Sequence, residues 1–322
     1  MRVHPSIAAL RGDRAPQRRA QAAMDAACRE WRALAGAAEA MAELEAYGAG
    51  AALADCPQLS GMFSRCDEAM ALVSSLFERL CDAVRDNPIG HPPFRHGFDG
   101  VASTLLLARS GHAQLLLQAR EPGEHSYDCA TFSDAERRDM VLAGSGRARR
   151  IRIEGPVGER VKLVSDTLPM HGGVHLAQDL SRECLLIESV ETRLLTLRLM
   201  RAAAQPEPGR EYSLPEGELL HMSAGDLVTS HRASMVALLG RMGRTDAAPV
   251  LAEMACAAGD SSLRWQAMRE CLALDSATGF AALCQVAQSS GDPLAHEAGV
   301  LRAQLIETYP QLAQMENATC PA

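Results

Sequence analysis

The chain has 322 residues, of which 47% are hydrophobic and 22% charged, a composition that excludes a largely disordered protein and suits two or three domains. No run of eighteen apolar residues is free of charge, so no membrane-spanning helix is expected, and Met1 to Leu10 lacks the apolar core of a secretory signal. The expectation is a soluble, cytoplasmic protein with a formal net charge of −8.

That charge is unevenly spread. Residues 1–90 carry 10 basic and 12 acidic side chains, residues 91–215 carry 16 of each, and residues 216–322 carry 6 and 12. Nonspecific nucleic-acid affinity comes from Lys and Arg displacing counterions, so nucleic acid is not an expected partner. Lys162 is the only lysine beside 31 arginines, a skew that reads as coding bias rather than chemistry. The ten cysteines include no Cys-x-x-Cys pair, which removes the usual zinc and redox spacings and leaves reduced thiols as the expectation.

Hydrophobic period divides the chain at 1–88, 89–225 and 226–322. In the first zone, Pro16 suits a first helical turn. Met24, Cys28, Trp31, Ala35, Ala38 and Met41 then recur at helical steps until Gly48. A second stripe, Met70, Val73, Phe77, Leu80 and Val84, is widened by Leu72, Leu76 and Cys81 into a core-facing helix surface. Asn87-Pro88 ends it, because the residue before proline disfavours helical angles.

The middle zone changes to short β segments. Thr104–Ala108 and Ala113–Ala119 flank a hairpin turn at Gly111. Met140–Ala143 and Arg147–Ile153 are separated by Gly144-Ser145-Gly146, and Cys184–Glu188 and Arg193–Leu199 by Val190-Glu191. Leu195, Leu197 and Leu199 alternate with Leu194, Thr196 and Arg198, giving one apolar and one mixed face. Strands at this spacing predict a closed sandwich or barrel. Arg147, Arg149, Arg150 and Arg152 read as the charged side of a solvated edge strand.

From Asp226 the helical period returns. Gly259-Asp260, Leu263 and Ala267 recur as Gly291-Asp292, Leu294 and Ala298. Helices are expected at 231–242, 246–258, 262–273, 277–289 and 293–309, burying Met235, Leu239, Leu251, Met254, Met268, Leu272, Leu283, Val286, Leu301 and Leu305. This zone resembles HEAT-like helical repeats, which implies a module that contacts a protein partner or buttresses a neighbouring domain. The fold class expected for the whole is α+β: an antiparallel β-barrel, jelly-roll-like in the middle, flanked by an N-terminal helical segment and a C-terminal helical repeat array.

In the middle zone, Pro169-Met-His-Gly172-Gly-Val-His175, continuing to Asp179, resembles the second motif of the cupin family of small β-barrels. Its proline–glycine interval is one residue longer than the family's, its last position is Asp179, and the family's first motif, a histidine pair with a downstream glutamate, is missing. The resemblance implies a compartment that binds either a metal or a small ligand. His96, His171, His175 and Arg198 are the candidate ligand-binding side chains. His91, His96, His171 and His175 are the candidate ligands should the site take Fe, Mn, Ni or Zn.

Neither a Gly-x-x-x-x-Gly-Lys phosphate loop nor a Gly-x-Ser-x-Gly elbow occurs in the sequence. The first functional expectation is therefore a non-catalytic ligand-sensing or adaptor protein that needs no cofactor. Its barrel holds a small molecule and its helical repeats meet a protein partner. The alternative is a cupin-type metal-dependent oxygenase or isomerase.

Overall fold

The computed structural model describes Pro5 and residues 12–313; the rest of Met1 to Leu10, and Cys320, lie outside the described residues. The chain forms two compact units, Met1–Met222 and Ser223–Ala322. It is α+β, with helices towards both ends of the sequence and antiparallel strands between them. No helix among the described residues is long and apolar enough to cross a membrane, and the nine described cysteines are free thiols.

The first unit begins with α1 (Ala15–Arg32), α2 (Ala35–Gly48), α3 (Pro57–Met62) and α4 (Cys66–Asp86). Pro16 sits in the first turn of α1 as expected. The stripe running to Gly48 is two helices rather than one. Leu34 takes extended backbone angles, and the buried phase slips from Met24, Cys28 and Trp31 to Ala37, Ala40 and Leu44. Ala35 and Ala38 are exposed in consequence. In α4 the buried face centres on Ala69, Leu72, Val73, Leu76 and Leu80, leaving Phe77 and Val84 at its rim. The buried Trp31 indole donates to the Leu72 carbonyl at 3.2 Å, tying α1 to α4.

The strands follow as β1 (Arg95–Phe98), β2 (Ala102–Ser110), β3 (Ala113–Arg120), β4 (Gly123–Glu124), β5 (Cys129–Phe132) and β6 (Ala135–Glu154). After these come β7 (Lys162–His171), β8 (His175–Asp179), β9 (Glu183–Ala202), β10 (Gly209–Ser213) and β11 (Leu219–Ser223). The main sheet runs β1-β2-β3-β9-β6-β7, with β4 also beside β9 and β8 also beside β6; β11-β10-β5 form a second, three-stranded sheet. The expected closed barrel is not formed: β1 and β7 are unjoined edges of an open sheet among the described residues.

The physical reason lies in β6 and β9. Each is one strand of 20 residues, where the sequence suggested two short strands and a turn. They pair from Ala135↔Ala202 to Arg152↔Glu183, with register shifts between Val141 and Ala148. Gly144-Ser145-Gly146 and Val190-Glu191 are therefore bends within paired strands, the role β-bulges serve. Gly144 has φ +93°, and a Cβ there would stand 2.2 Å from the Arg193 carbonyl oxygen; one at Gly146 would stand 2.3 Å from that of Ser189. The arginine run is no solvated edge, because this part of β6 lies between β9 and β7. Arg150 and Arg152 both pair with Asp166 on β7, and Arg149 with Glu188 on β9.

The four helices cover one face of this sheet. Leu107, Leu115, Leu117, Met140, Leu142, Leu197 and Leu199 share a core with Trp31, Leu44, Leu59 and Leu76. Arg201 of β9 fastens the layers. Its guanidinium donates to the Tyr47 and Ala51 carbonyls at 3.0 and 2.6 Å, lies 4.0 Å over the Tyr47 ring, and pairs with Glu136.

The second unit is α5 (Leu227–Arg241), α6 (Ala248–Cys256), α7 (Ser261–Leu274), α8 (Ser276–Gln288) and α9 (Ala295–Thr308), close to the expected helices. Leu251, Met268, Leu283 and Val286 are buried, with Met254, Leu272, Leu301 and Leu305 packed against them. Met235 departs from expectation: α5 turns Val236 to the core and leaves Met235 exposed. The duplicated Gly-Asp pairs open corresponding turns. Asp260 accepts from the Leu263 amide and Asp292 from that of Leu294. Asp292 also receives a two-pronged contact from the buried Arg264, at 3.2 and 2.6 Å.

Two stability predictions arise here. Gly144→Ala adds a Cβ against backbone at a positive φ, so urea unfolding should show a loss of about 3 kcal/mol. Asp292→Ala strands the Arg264 charge and removes the acceptor of the Leu294 amide in the turn before α9. It should cost the second unit about 3 kcal/mol, read by thermal unfolding of the full chain.

Candidate functional site

Because side chains alternate along a strand, the face of β6 and β9 opposite the helices is set by parity. On β6 this face carries Arg137, Asp139 and Val141; on β9 it carries Leu194, Thr196 and Arg198. Register makes them neighbours, with Asp139 opposite Arg198 on one side and Leu176 on the other, and Arg137 opposite Met200 and Gln178. Such directly opposed pairs stand close enough for side-chain contact.

Arg198 donates from Nε and Nη2 to the two Asp139 carboxylate oxygens at 2.7 and 3.0 Å. Arg137 reaches the same carboxylate at 3.3 Å, and donates from Nε to Gln178 Oε1 at 2.9 Å, with Nη2 on that oxygen as well. Asp139 is 2% exposed. Burial by itself pushes its carboxyl pKa up, but the Arg198 and Arg137 charges and the Arg198 hydrogen bonds outweigh it and hold the pKa below the ordinary carboxylate value. Burial lowers Arg137 to about 10, so it remains charged at neutral pH.

The Gln178 amide is oriented by its partner. Arginine only donates, so the oxygen must face Arg137 and the NH2 group must face away. That Nε2 is buried with no hydrogen-bond partner, and so is Arg120 Nε. Gln178 also lines a cavity of about 250 Å³, together with Arg150, His175, Leu168, Leu176, Ala177 and Leu185. The cavity lies between the two halves of the bent sheet, with β8 and β9 as its walls beside β6 and β7. Val141, Ala148, Met170, Ile187, Val190 and Leu194 form a small buried core, against which the cavity-wall residues Leu176 and Leu185 pack.

The four sequence-chosen ligand residues are placed differently from one another. His175, the first residue of β8, is exposed at the cavity wall. His171 ends β7, is exposed, and its Nδ1 lies 3.0 Å from the Gly172 carbonyl oxygen. His96 is exposed on β1, and β2, β3 and β9 separate that strand from β6. Arg198 faces the interior, where Asp139 occupies two of its nitrogens. His91 lies exposed before β1.

The metal set His91, His96, His171 and His175 is thus not gathered. Among the described residues no group of three or more His, Cys, Asp or Glu side chains is placed to hold a metal ion. These residues do not fit the cupin metal centre. A larger cleft, about 1070 Å³, lies in the second unit between α6 and α8; small residues such as Ala252, Ala257, Ala281 and Ala282 line it, and it gathers no comparable cluster of buried polar groups.

Arg137, Asp139 and Gln178 were not singled out from the sequence. Their signal is a charged residue at every second position of a strand, blurred because Arg138, between two of them, faces the helices.

No family model and no curated protein matches the chain. Among solved structures it is similar to the 7S globulin of Momordica charantia at 12% identity and TM-score 0.28, over 38% of this chain and 36% of that one. Ectoine synthase from P. lautus is similar at 12% identity and TM-score 0.24, over 33% of this chain and 67% of the other. A cupin superfamily protein from Desulfitobacterium hafniense DCB-2 is similar at 11% identity and TM-score 0.24, over 33% and 83%. The chain spans about a third of the length of the globulin.

The Asp139 network sets a test. Asp139→Asn leaves Arg137 and Arg198 buried without a countercharge and should cost about 3–5 kcal/mol at neutral pH. The folded Asp139 pKa is depressed, so its stabilisation is complete above the unfolded value of about 3.9 and is lost as pH falls through the folded value. Denaturant melts between pH 2 and 7 (taken as roughly the acid range in which carboxylates titrate) should show a flatter acid limb for the variant than for the parent.

Proposed function

We propose that this chain is a non-catalytic ligand-sensing or adaptor protein: the cavity in its bent sheet holds a small molecule, and its helical array docks a protein partner. The observation that carries the reading is the cavity of about 250 Å³ in the bent sheet, whose wall is aliphatic apart from Arg150, His175 and Gln178. Arg137, Asp139 and Arg198 form a salt-bridged lattice that fixes the wall, rather than an acid–base pair poised to exchange protons. Asp139 is kept ionised by two guanidiniums and has no neighbouring group of matched pKa to receive a proton.

The docking half of the proposal draws on the second unit. Val228, Met235, Leu238 and Met242 are each more than half exposed and recur at three-, four- and seven-residue steps along one side of α5. An exposed apolar stripe of this kind marks a surface that meets another protein. The HEAT-like reading of the array belongs to this proposal and supports the same role.

Elemental analysis of the purified chain tests the non-catalytic half. Substoichiometric transition metal, and a melting temperature indifferent to added Fe(II), Mn(II), Ni(II) or Zn(II), are the expected results. Stoichiometric metal that vanishes in His171→Ala or His175→Ala would overturn the reading in favour of a metal-dependent enzyme.

A further inference from the structure

The second unit holds an apolar cavity of its own, bounded by α7, the start of α8 and the end of α9. Trp265, Arg269 and Leu272 stand at four- and three-residue steps along α7 and so share one face of that helix. Leu301 and Leu305 are likewise one turn apart on α9, and Phe280 comes from α8. With Leu312 these side chains line a volume of about 440 Å³.

Two features distinguish this cavity from a plain seam between helices. Its apolar side belongs to the core of the unit. Phe280 is buried, and Trp265, Leu272, Leu301, Leu305 and Leu312 pack on the core cluster while each stays part-exposed. Large apolar side chains around an unfilled space are the usual lining of a small-molecule site, with a few polar groups to orient the guest. The second feature is Arg269, the one charged residue in the lining, where no Asp or Glu occurs. Arg264 on the same helix spends its guanidinium on Asp292. Arg269 is exposed and has neither an ion pair nor a hydrogen bond among the described residues. It stays unpaired although residues 223–322 contain 10 acidic and 6 basic side chains.

Size narrows the guest further. The volume equals that of about fifteen waters at about 30 Å³ each, room for a hydrocarbon chain of about ten carbons. It accommodates no more than about one turn of a partner helix, which is about 10 Å across and 5.4 Å long. Ser276, Tyr309 and Gln311 are exposed lining residues like Arg269, so the polar groups lie on the solvent side and the apolar ones within.

We infer that this cavity binds a medium-chain carboxylate amphiphile, its acyl chain against Trp265, Leu301 and Leu305 and its carboxylate paired with Arg269. A guanidinium matches a carboxylate in charge and in two-pronged geometry. A neutral alcohol of the same length keeps the chain contacts and loses that pair. The assignment is independent of the cavity in the bent sheet and gives the helical array a ligand of its own.

Tryptophan emission supplies a local readout on the full chain, because Trp31 is fully buried in the first unit and Trp265 stands at the cavity wall. Decanoate, titrated below the concentration at which it forms micelles, is expected to shift the emission to shorter wavelength and to give saturable heat in calorimetry. Octanoate, two methylenes shorter, is expected to bind about fifteenfold more weakly. Decanol is expected to bind about fivefold more weakly than decanoate, and Arg269→Met to bring decanoate down to the affinity of decanol. Leu301→Trp fills the cavity and is expected to weaken both probes by about tenfold or more. Should that variant fail to fold, Arg269→Met, a change at an exposed position, still decides the matter. Absence of saturable decanoate binding overturns the inference. Equal affinity for decanoate and decanol, lost in Leu301→Trp, overturns the carboxylate assignment. Decanoate binding unchanged in Arg269→Met places the anion elsewhere and overturns it as well.

Discussion

The first unit depends on one pairing, that of β6 with β9. Each is a 20-residue strand, and they stay hydrogen-bonded on both sides of a shared bend. Every other strand of the main sheet is attached to one of these two, directly or through β3. β3 and β4 pair with β9, β7 and β8 pair with β6, and β2 and β1 follow outward from β3. The bend needs backbone-to-backbone approach that only glycine allows at Gly144 and Gly146. If the pair were straight, the two halves of the sheet would not face each other, and the space between Gln178 and Arg150 would open to solvent.

The same bend explains what was and was not legible in the sequence. Alternation told the two faces of β9 apart, so Leu197 and Leu199 were placed in an apolar layer and Arg198 on the mixed one. Helices of the second unit were legible where cap and period agree, as at Asp260; Asp292 instead holds the turn before α9, whose N-cap is Leu294. The strand connections were misread because glycine serves two ends. A Gly-Ser-Gly run permits a chain reversal, and equally a kink in a strand whose partner kinks beside it. Local chemistry cannot separate these; the difference lies in whether another strand of matching length exists further along the chain, as β9 (Glu183–Ala202) does for β6 (Ala135–Glu154). The helix phase errors have a similar origin. Ala35, Ala37, Ala38 and Ala40 carry almost no periodic contrast, so packing against α3 and the sheet, rather than pattern, decides which alanines are buried.

Of the candidate site, the sequence yielded His175 at the cavity wall and Arg198 behind it, but not the groups between. Asp139 and Arg137 lie in Ala-Glu-Arg-Arg-Asp-Met, where four charges in succession hide the alternation of a strand. In the structure two of them face inward and two face the helical side. Glu136 meets Arg201 there, and Arg138 acts on Tyr47 from the same side. A strand can carry continuous charge when both its faces contain ion-pair partners, and partners distant in sequence are invisible in a local window.

A buried ion-pair lattice is a poor source of net stability, since desolvation of each charge offsets most of the Coulombic gain. Its value here is positional. The Arg137 guanidinium is held on Asp139 and in turn holds the Gln178 oxygen, so the free amide donor cannot rotate to satisfy itself. Were Arg137 absent, the Gln178 amide would be free to flip or to find water. The series Arg198, Asp139, Arg137, Gln178 thus fixes the Gln178 side chain beside the cavity: Arg198 is the register partner of Asp139, Arg137 stands two residues before Asp139 on β6, and Gln178 is the register partner of Arg137.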